Sequence, residues 1–202
     1  HHAPVLSQGV ETIGDPQVRH RGTLGGSLAH ADPAGDAAPV VVALGADVLI
    51  TGPRGRRRMP ADDFFVDYFE TALADDEILT GVAIPKQGER GGWYEKFNRA
   101  AHMWSIVGSC AVVGLTAGRV TTVRVVLTNM GSTPVRARAT EAALLGNNAR
   151  DVARAAALAD DGTRPSSDAQ ADEEYRRHLS RVLTERALRR AMGQTDVIVA
   201  ER

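Results

Sequence analysis

The chain has a single cysteine, Cys110, among 202 residues. One thiol closes no internal disulfide and holds no iron–sulfur cluster, so both are excluded. Cys110 lies in the apolar stretch Ile106–Val113, where a buried, unreactive thiol is expected. Lysine is almost missing: Lys86 and Lys96 are the only two, and arginine supplies the rest of the positive charge. With abundant alanine, this reads as coding composition, so the run Arg56-Arg57-Arg58 is taken as solvated surface. No charge of one sign dominates. The formal net charge is -1, which gives no bulk attraction to nucleic acid. No apolar run approaches the roughly 20 residues of a membrane span. His1-His2-Ala3-Pro4 is not the charged start and apolar run of a signal peptide. There is no repeat and no low-complexity tract. What is present is ordinary for a soluble globular protein, with 43% hydrophobic and 24% charged residues. The length fits one domain or two small ones.

Glycine crowds the first third, and Val10 to Gly26 has no sustained period, so loop with short pieces of structure is expected there. Asp36 is read as the N-cap of a helix that carries Pro39 in its first turn and stops at Gly45. Residues 46–51 read as a strand, 52–55 as a turn and 56–59 as the return strand. A short helix or loop with aromatic anchors is expected over 60–69, then a strand over 77–84. Residues 86–92 hold three glycines and no apolar side chain, a joint that few contacts should cross. Beyond it three strands follow, 93–99, 105–115 and 120–128, with short turns that argue for an antiparallel sheet. Helices are expected at 134–145, 151–158 and 172–192, with a polar and mobile segment at 160–169. The last helix repeats Tyr175, Leu179, Val182, Leu183, Ala187 and Ala191 along one face. Strands followed by helices give an α+β fold class.

The densest chemistry lies in Arg19-His20-Arg21-Gly22-Thr23-Leu24-Gly25-Gly26-Ser27, followed by Asp32 and Asp36. Adjacent glycines let backbone amides approach a ligand, and consecutive amides in a turn form a nest for an anion such as a pyrophosphate. Asp32 and Asp36 can accept from sugar hydroxyls or ring N–H groups. The competing reading is a tight turn with two capping aspartates. The segment matches neither the Rossmann nor the P-loop pattern. His20 and His30 lack a third ligand at metal-site spacing. No nucleophile triad stands out.

The run Ile13 to Asp36 closely resembles the second FAD-binding segment of the flavoprotein subunits of molybdenum hydroxylases. These are the medium subunits of the carbon monoxide dehydrogenase group and the flavin domain of xanthine dehydrogenases. Asp76-Glu77-Ile78-Leu79, Tyr94-Glu95-Lys96-Phe97, Gly131 to Ala137 and Tyr175 to Leu179 are similar to later landmarks of the family, so the resemblance covers nearly the whole chain. It implies the C-terminal part of a PCMH-type FAD-binding domain at residues 1–88. A small domain with a three-stranded antiparallel sheet and helices would follow at 92–202. It also implies that Thr23, Leu24, Gly25, Gly26 and Ser27 line the FAD diphosphate and ribityl. Asp32 and Asp36 would be polar contacts, and Leu79 would lie near the flavin ring. Asn98 stands where some relatives place a basic residue, and His102-Met103 where many have Gly-Asp. The family's Ala-Gly-Gly loop has no counterpart before Ile13, so an N-terminally shortened chain with weak FAD affinity of its own is expected.

The implied function is a cytoplasmic electron-transfer subunit. It would pass electrons from the [2Fe–2S] clusters of a small subunit, reduced by a large molybdopterin subunit, through FAD to a terminal acceptor. No acid–base residue is nominated. The alternatives are a stand-alone FAD-dependent oxidoreductase of the wider fold and a scaffold subunit that has lost FAD.

Overall fold

The structure, a computed structural model, describes residues 2–193. The end of the expected 92–202 unit, from 194 on, lies outside the described residues. Residues 10–26, expected as loop with short pieces of structure, hold the end of one short helix, the whole of a second and the start of a third. These helices are α1 (Pro4–Glu11), α2 (Pro16–Arg21) and α3 (Leu24–His30). Each is only two turns or so, too short for a period to show in sequence, but their start signals are conventional. Pro4 opens α1. Asp15 Oδ1 accepts from Val18 N at 2.9 Å ahead of Pro16 in α2. Thr23 caps α3, and Ala31, left-handed at φ 52°, ends it.

Helix α4 (Ala37–Ala43) is buried along its whole length, and Gly45 takes the positive φ of its C′ position. Asp36 does not cap it: no side-chain cap bond forms, because the carboxylate turns inward to three other donors. Strands β1 (Asp47–Gly52) and β2 (Gly55–Pro60) form the expected hairpin. After the small β3 (Phe65–Asp67) and β4 (Glu70–Thr71) ribbon, β5 (Ile78–Ala83) completes an antiparallel sheet in the order β2-β1-β5.

The second sheet has four strands, not three, in the order β6-β7-β8-β9: β6 (Gly91–Phe97), β7 (Val107–Thr116), β8 (Arg119–Thr128) and β9 (Val135–Arg136). The extra strand is only two residues long, below what an alternating pattern can reveal. Helices α5 (Arg138–Leu144), α6 (Val152–Ala156) and α7 (Glu173–Ala191) follow. Asp172 caps α7, and Leu179, Leu183, Ala187 and Ala191 are buried against the sheet. Tyr175 lies outside the buried set, with 43% of its surface exposed. The polar 160–169 segment is tied down rather than free: Arg181 pairs with Asp160, Arg177 donates to Thr163 O, and Arg176 pairs with Asp168.

Strand β7 is buried from Val107 to Gly114 because both faces of its sheet are covered. Val107, Ala111 and Val113 belong to the core on the α7 side, while Cys110 and Val112 belong to the core on the α4 side. The expectation that few contacts cross the 86–92 joint is therefore corrected. Gln8 exchanges two hydrogen bonds with the Tyr94 backbone, and Gln87 N donates to His2 O. Lys96 pairs with Asp36. The glycine-rich joint bends the chain, but the sheet beyond it completes the core before it.

Candidate functional site

A cavity of about 490 Å³ opens beside α2 and α3. Thr23, Leu24, Gly26 and Ser27 line it. The glycine pair is not a turn-shaped nest. Gly25 and Gly26 lie in the first turn of α3, with no positive φ. Thr23 Oγ1 accepts from Gly26 N at 3.0 Å, and Ser27 N donates to Thr23 O at 3.0 Å. That leaves the Leu24 and Gly25 amides as the first-turn donors with no intrahelical acceptor, at the end where the helix dipole favours an anion.

The glycines serve close packing. A Cβ on Gly26 would lie 2.9 Å from Thr23 Oγ1, and one on Gly25 would lie 3.4 Å from Leu79 Cδ2. Leu79 and Gly25, 54 residues apart in sequence, are thus brought together on α3 and β5. Neither lines the cavity itself.

The remaining expected residues stand elsewhere. Asp32 is half-buried, and its Oδ1 accepts from Ala34 N at 2.8 Å, holding the turn after α3. Asp36 is 3% exposed, with both oxygens engaged by Tyr94, Ser105 and Lys96. Asn98 Nδ2 donates to Ala100 O at 2.8 Å and Met103 O at 3.3 Å, bracing the loop between β6 and β7. Among the described residues no group of His, Cys, Asp and Glu is placed to hold a metal.

Sequence reasoning did not assign Arg19, Arg21, His30 or Trp104, all of which line the cavity. Arg19 and Arg21 stood in the quoted segment but were given no role there. Arg19 Nη1 donates to Ile13 O at 2.7 Å, which fixes that side chain along the wall. Trp104 is 55% exposed and carries no sequence signal, because only the fold of the 98–104 loop brings it to α3. Val10, Ile13 and Val18 complete an apolar lining. First-turn amides, a serine hydroxyl and two arginines beside an apolar wall fit a diphosphate joined to flat aromatic rings, which is the chemistry of FAD. The thiol of Cys110 plays no part here, since burial pushes its pKa far above the ordinary value.

Two family models match: "FAD binding domain in molybdopterin dehydrogenase" over residues 1–87 and "CO dehydrogenase flavoprotein C-terminal domain" over 92–191. The carbon monoxide dehydrogenase medium chain of Hydrogenophaga pseudoflava is 34% identical over 194 residues, covering 95% of this chain and 68% of that protein. The nicotine 6-hydroxylase medium subunit of Paenarthrobacter nicotinovorans is 35% identical, covering 96% and 69%. The chain thus spans about two thirds of the length of these relatives. A solved structure of carbon monoxide dehydrogenase from Hydrogenophaga pseudoflava superposes with a TM-score of 0.92 at 36% identity, covering 95% of this chain and 68% of that one. Quinoline 2-oxidoreductase from Pseudomonas putida 86 gives 0.88 at 29% identity, over 95% and 68%. The mixed helix-and-sheet fold, the Thr23–Ser27 turn and these likenesses agree: the chain belongs to the family of FAD-binding medium subunits of the molybdenum hydroxylases.

Proposed function

We propose that this chain is the flavin-carrying electron-transfer subunit of a molybdenum hydroxylase complex, and that FAD binds in the cavity beside α3. One observation carries the reading. The first turn of α3, Thr23 to Ser27, which resembles the family's second FAD segment, opens on an apolar cavity with arginines at its wall. The Leu24 amide and the Ser27 hydroxyl, both on the cavity wall, would donate to the diphosphate. Arg21 would offset its charge, as a planar donor suited to phosphate oxygens. Val18, Ile13 and Trp104 would shield the rings from water. Leu79 would act through Gly25, and Asp32 and Asn98 through the turns they hold. Bound FAD supplies the capacity to accept electrons singly and hand them on in pairs. The chain binds, orients and shields, and no side chain of the cavity is given a proton to move.

Relatives are named medium chains or subunits, and this supports assembly with a large molybdopterin subunit and a small [2Fe–2S] subunit. Such a complex would work in the cytoplasm. Among the described residues no helix is long and apolar enough to cross a membrane. The test is co-expression with candidate large and small subunits, followed by desalting and flavin absorbance. Co-purification with stoichiometric FAD is expected. Gly26→Val should lose the flavin while the melt moves by only a few degrees, because what its Cβ crowds is the Thr23 hydroxyl at the exposed start of a short helix. Wild-type flavin occupancy in Gly26→Val would overturn the placement.

A further inference from the structure

We propose that the Asp36 carboxylate is a positioning residue: buried behind the cavity, it holds in register three separate segments that supply the cavity wall. Asp36 immediately precedes Ala37, a lining residue. Its Oδ1 accepts from Tyr94 Oη at 2.6 Å and from Ser105 Oγ at 2.6 Å, and its Oδ2 accepts from Lys96 Nζ at 2.7 Å. Ser105 directly follows Trp104 on the wall. Lys96 Nζ donates a second bond to Thr12 O at 3.0 Å, and Thr12 precedes Ile13, also on the wall. One carboxylate therefore links the start of α4, the loop before β7 and the chain between α1 and α2.

The arrangement is demanding. The Lys96 and Asp36 side chains are 6% and 3% exposed. A charge buried this far is tolerated only when paired and hydrogen-bonded, so alternatives that leave either group alone are disfavoured. Tyr94 remains a donor through the neutral range: burial, and then the neighbouring Asp36 charge, push its pKa well above the usual value. Tyr94, Lys96 and Ser105 do not line the cavity, so the cluster acts through the residues it holds. Its consequence for binding rests on the cavity being the FAD site; the holding of the wall does not.

Asp36→Asn would strand the buried lysine and can unfold the protein, so Ser105→Ala is the variant to use, since it leaves Lys96 and Tyr94 on the carboxylate. In a Trp93→Phe background Trp104 is the sole tryptophan. Its fluorescence anisotropy is measured with the thermal melt, and the dissociation constant for added FAD is measured in the co-expressed complex. Ser105→Ala should lower the Trp104 anisotropy with the melt nearly unchanged. FAD should bind about tenfold more weakly, as when the competent wall is formed about a tenth of the time. Ser105→Thr, which keeps the hydroxyl, should restore both. Unchanged anisotropy in Ser105→Ala overturns the proposal. Lower anisotropy with unchanged FAD affinity supports the positioning role and overturns the cavity as the FAD site.

Discussion

Glu77 sits between two arginines at the end of the β2-β1-β5 sheet. Arg57 Nε and Nη2 donate to it at 2.8 and 2.6 Å, and Ala74 N donates at 3.0 Å. The Arg57 hydrogen bond, then the Ala74 amide, lower its pKa to about 2. The unfolded chain holds a glutamate near its ordinary value of about 4.3, so the stabilisation is present above that pH and is lost as pH falls toward 2. A melt recorded from pH 6 to 2 should show Glu77→Gln losing its difference from wild type over the window from about 4 to 2. Parallel curves across that window would mean that another carboxylate governs the acid limb. The same contacts show why Arg56-Arg57-Arg58 was legible as surface charge. Arg57 and Arg58 reach over exposed ground to Glu77 and Asp47, with no ligand implied. Asp36 was less legible. An aspartate ahead of an apolar helix looks the same in sequence whether it caps that helix or turns inward, and only the positions of Tyr94, Lys96 and Ser105 decide.

Helix α7 is the element whose sequence spoke most clearly. Of its repeat at three- and four-residue steps, Leu179, Leu183, Ala187 and Ala191 are buried on β6 and β7, while Tyr175 and Val182 are not. Leu183, 2% exposed, should cost roughly 2–5 kcal/mol on truncation to Ala, whereas Tyr175→Ala, at an exposed position, should cost far less. Denaturant titration of both variants checks this, and equal losses would mean that the stripe is not what holds the helix. The period did not reveal Arg176, buried at 1% on the same helix. It donates to Ile106 O and Asp168, so it fastens both the β7 entry and the 160–169 segment expected to be mobile. A polar residue interrupting an apolar stripe reads as solvent-facing until its acceptors are known. The short helices α1 to α3 make the converse case: Pro4, Asp15 and Thr23 stand at their starts, but too few residues follow for periodicity to appear.

At the scale of the whole molecule, the β6-β7-β8-β9 sheet is a wall shared by two cores. The composition of 86–92 leads one to expect a second unit that folds alone, and the two family models divide the chain at the same place. The packing points to a different outcome for the isolated piece. Removing residues 1–92 uncovers Tyr94, Cys110, Val112 and Val126 and leaves Lys96 without Asp36. Residues 93–202 expressed alone should therefore melt broadly and at lower temperature than the full chain, with weak amide protection on β6 and β7. A sharp melt with protected strands would show that the α7 side suffices.

By itself, the sequence determined the α+β class, the β1–β2 hairpin, the long final helix and the run from Ile13 to Asp36 that carries the family likeness. Those features rest on local rules: caps, turn residues, period and short motifs, each read within a few neighbouring positions. Tertiary structure alone decided that the glycine pair lies in the first turn of a helix, that Leu79 packs on Gly25, and that Trp104 walls the cavity. It also decided that Asp36 faces inward and that both sides of β7 are covered. Each of these depends on residues tens of positions apart meeting in space. Burial and hydrogen-bond satisfaction select such meetings, and no local pattern encodes them.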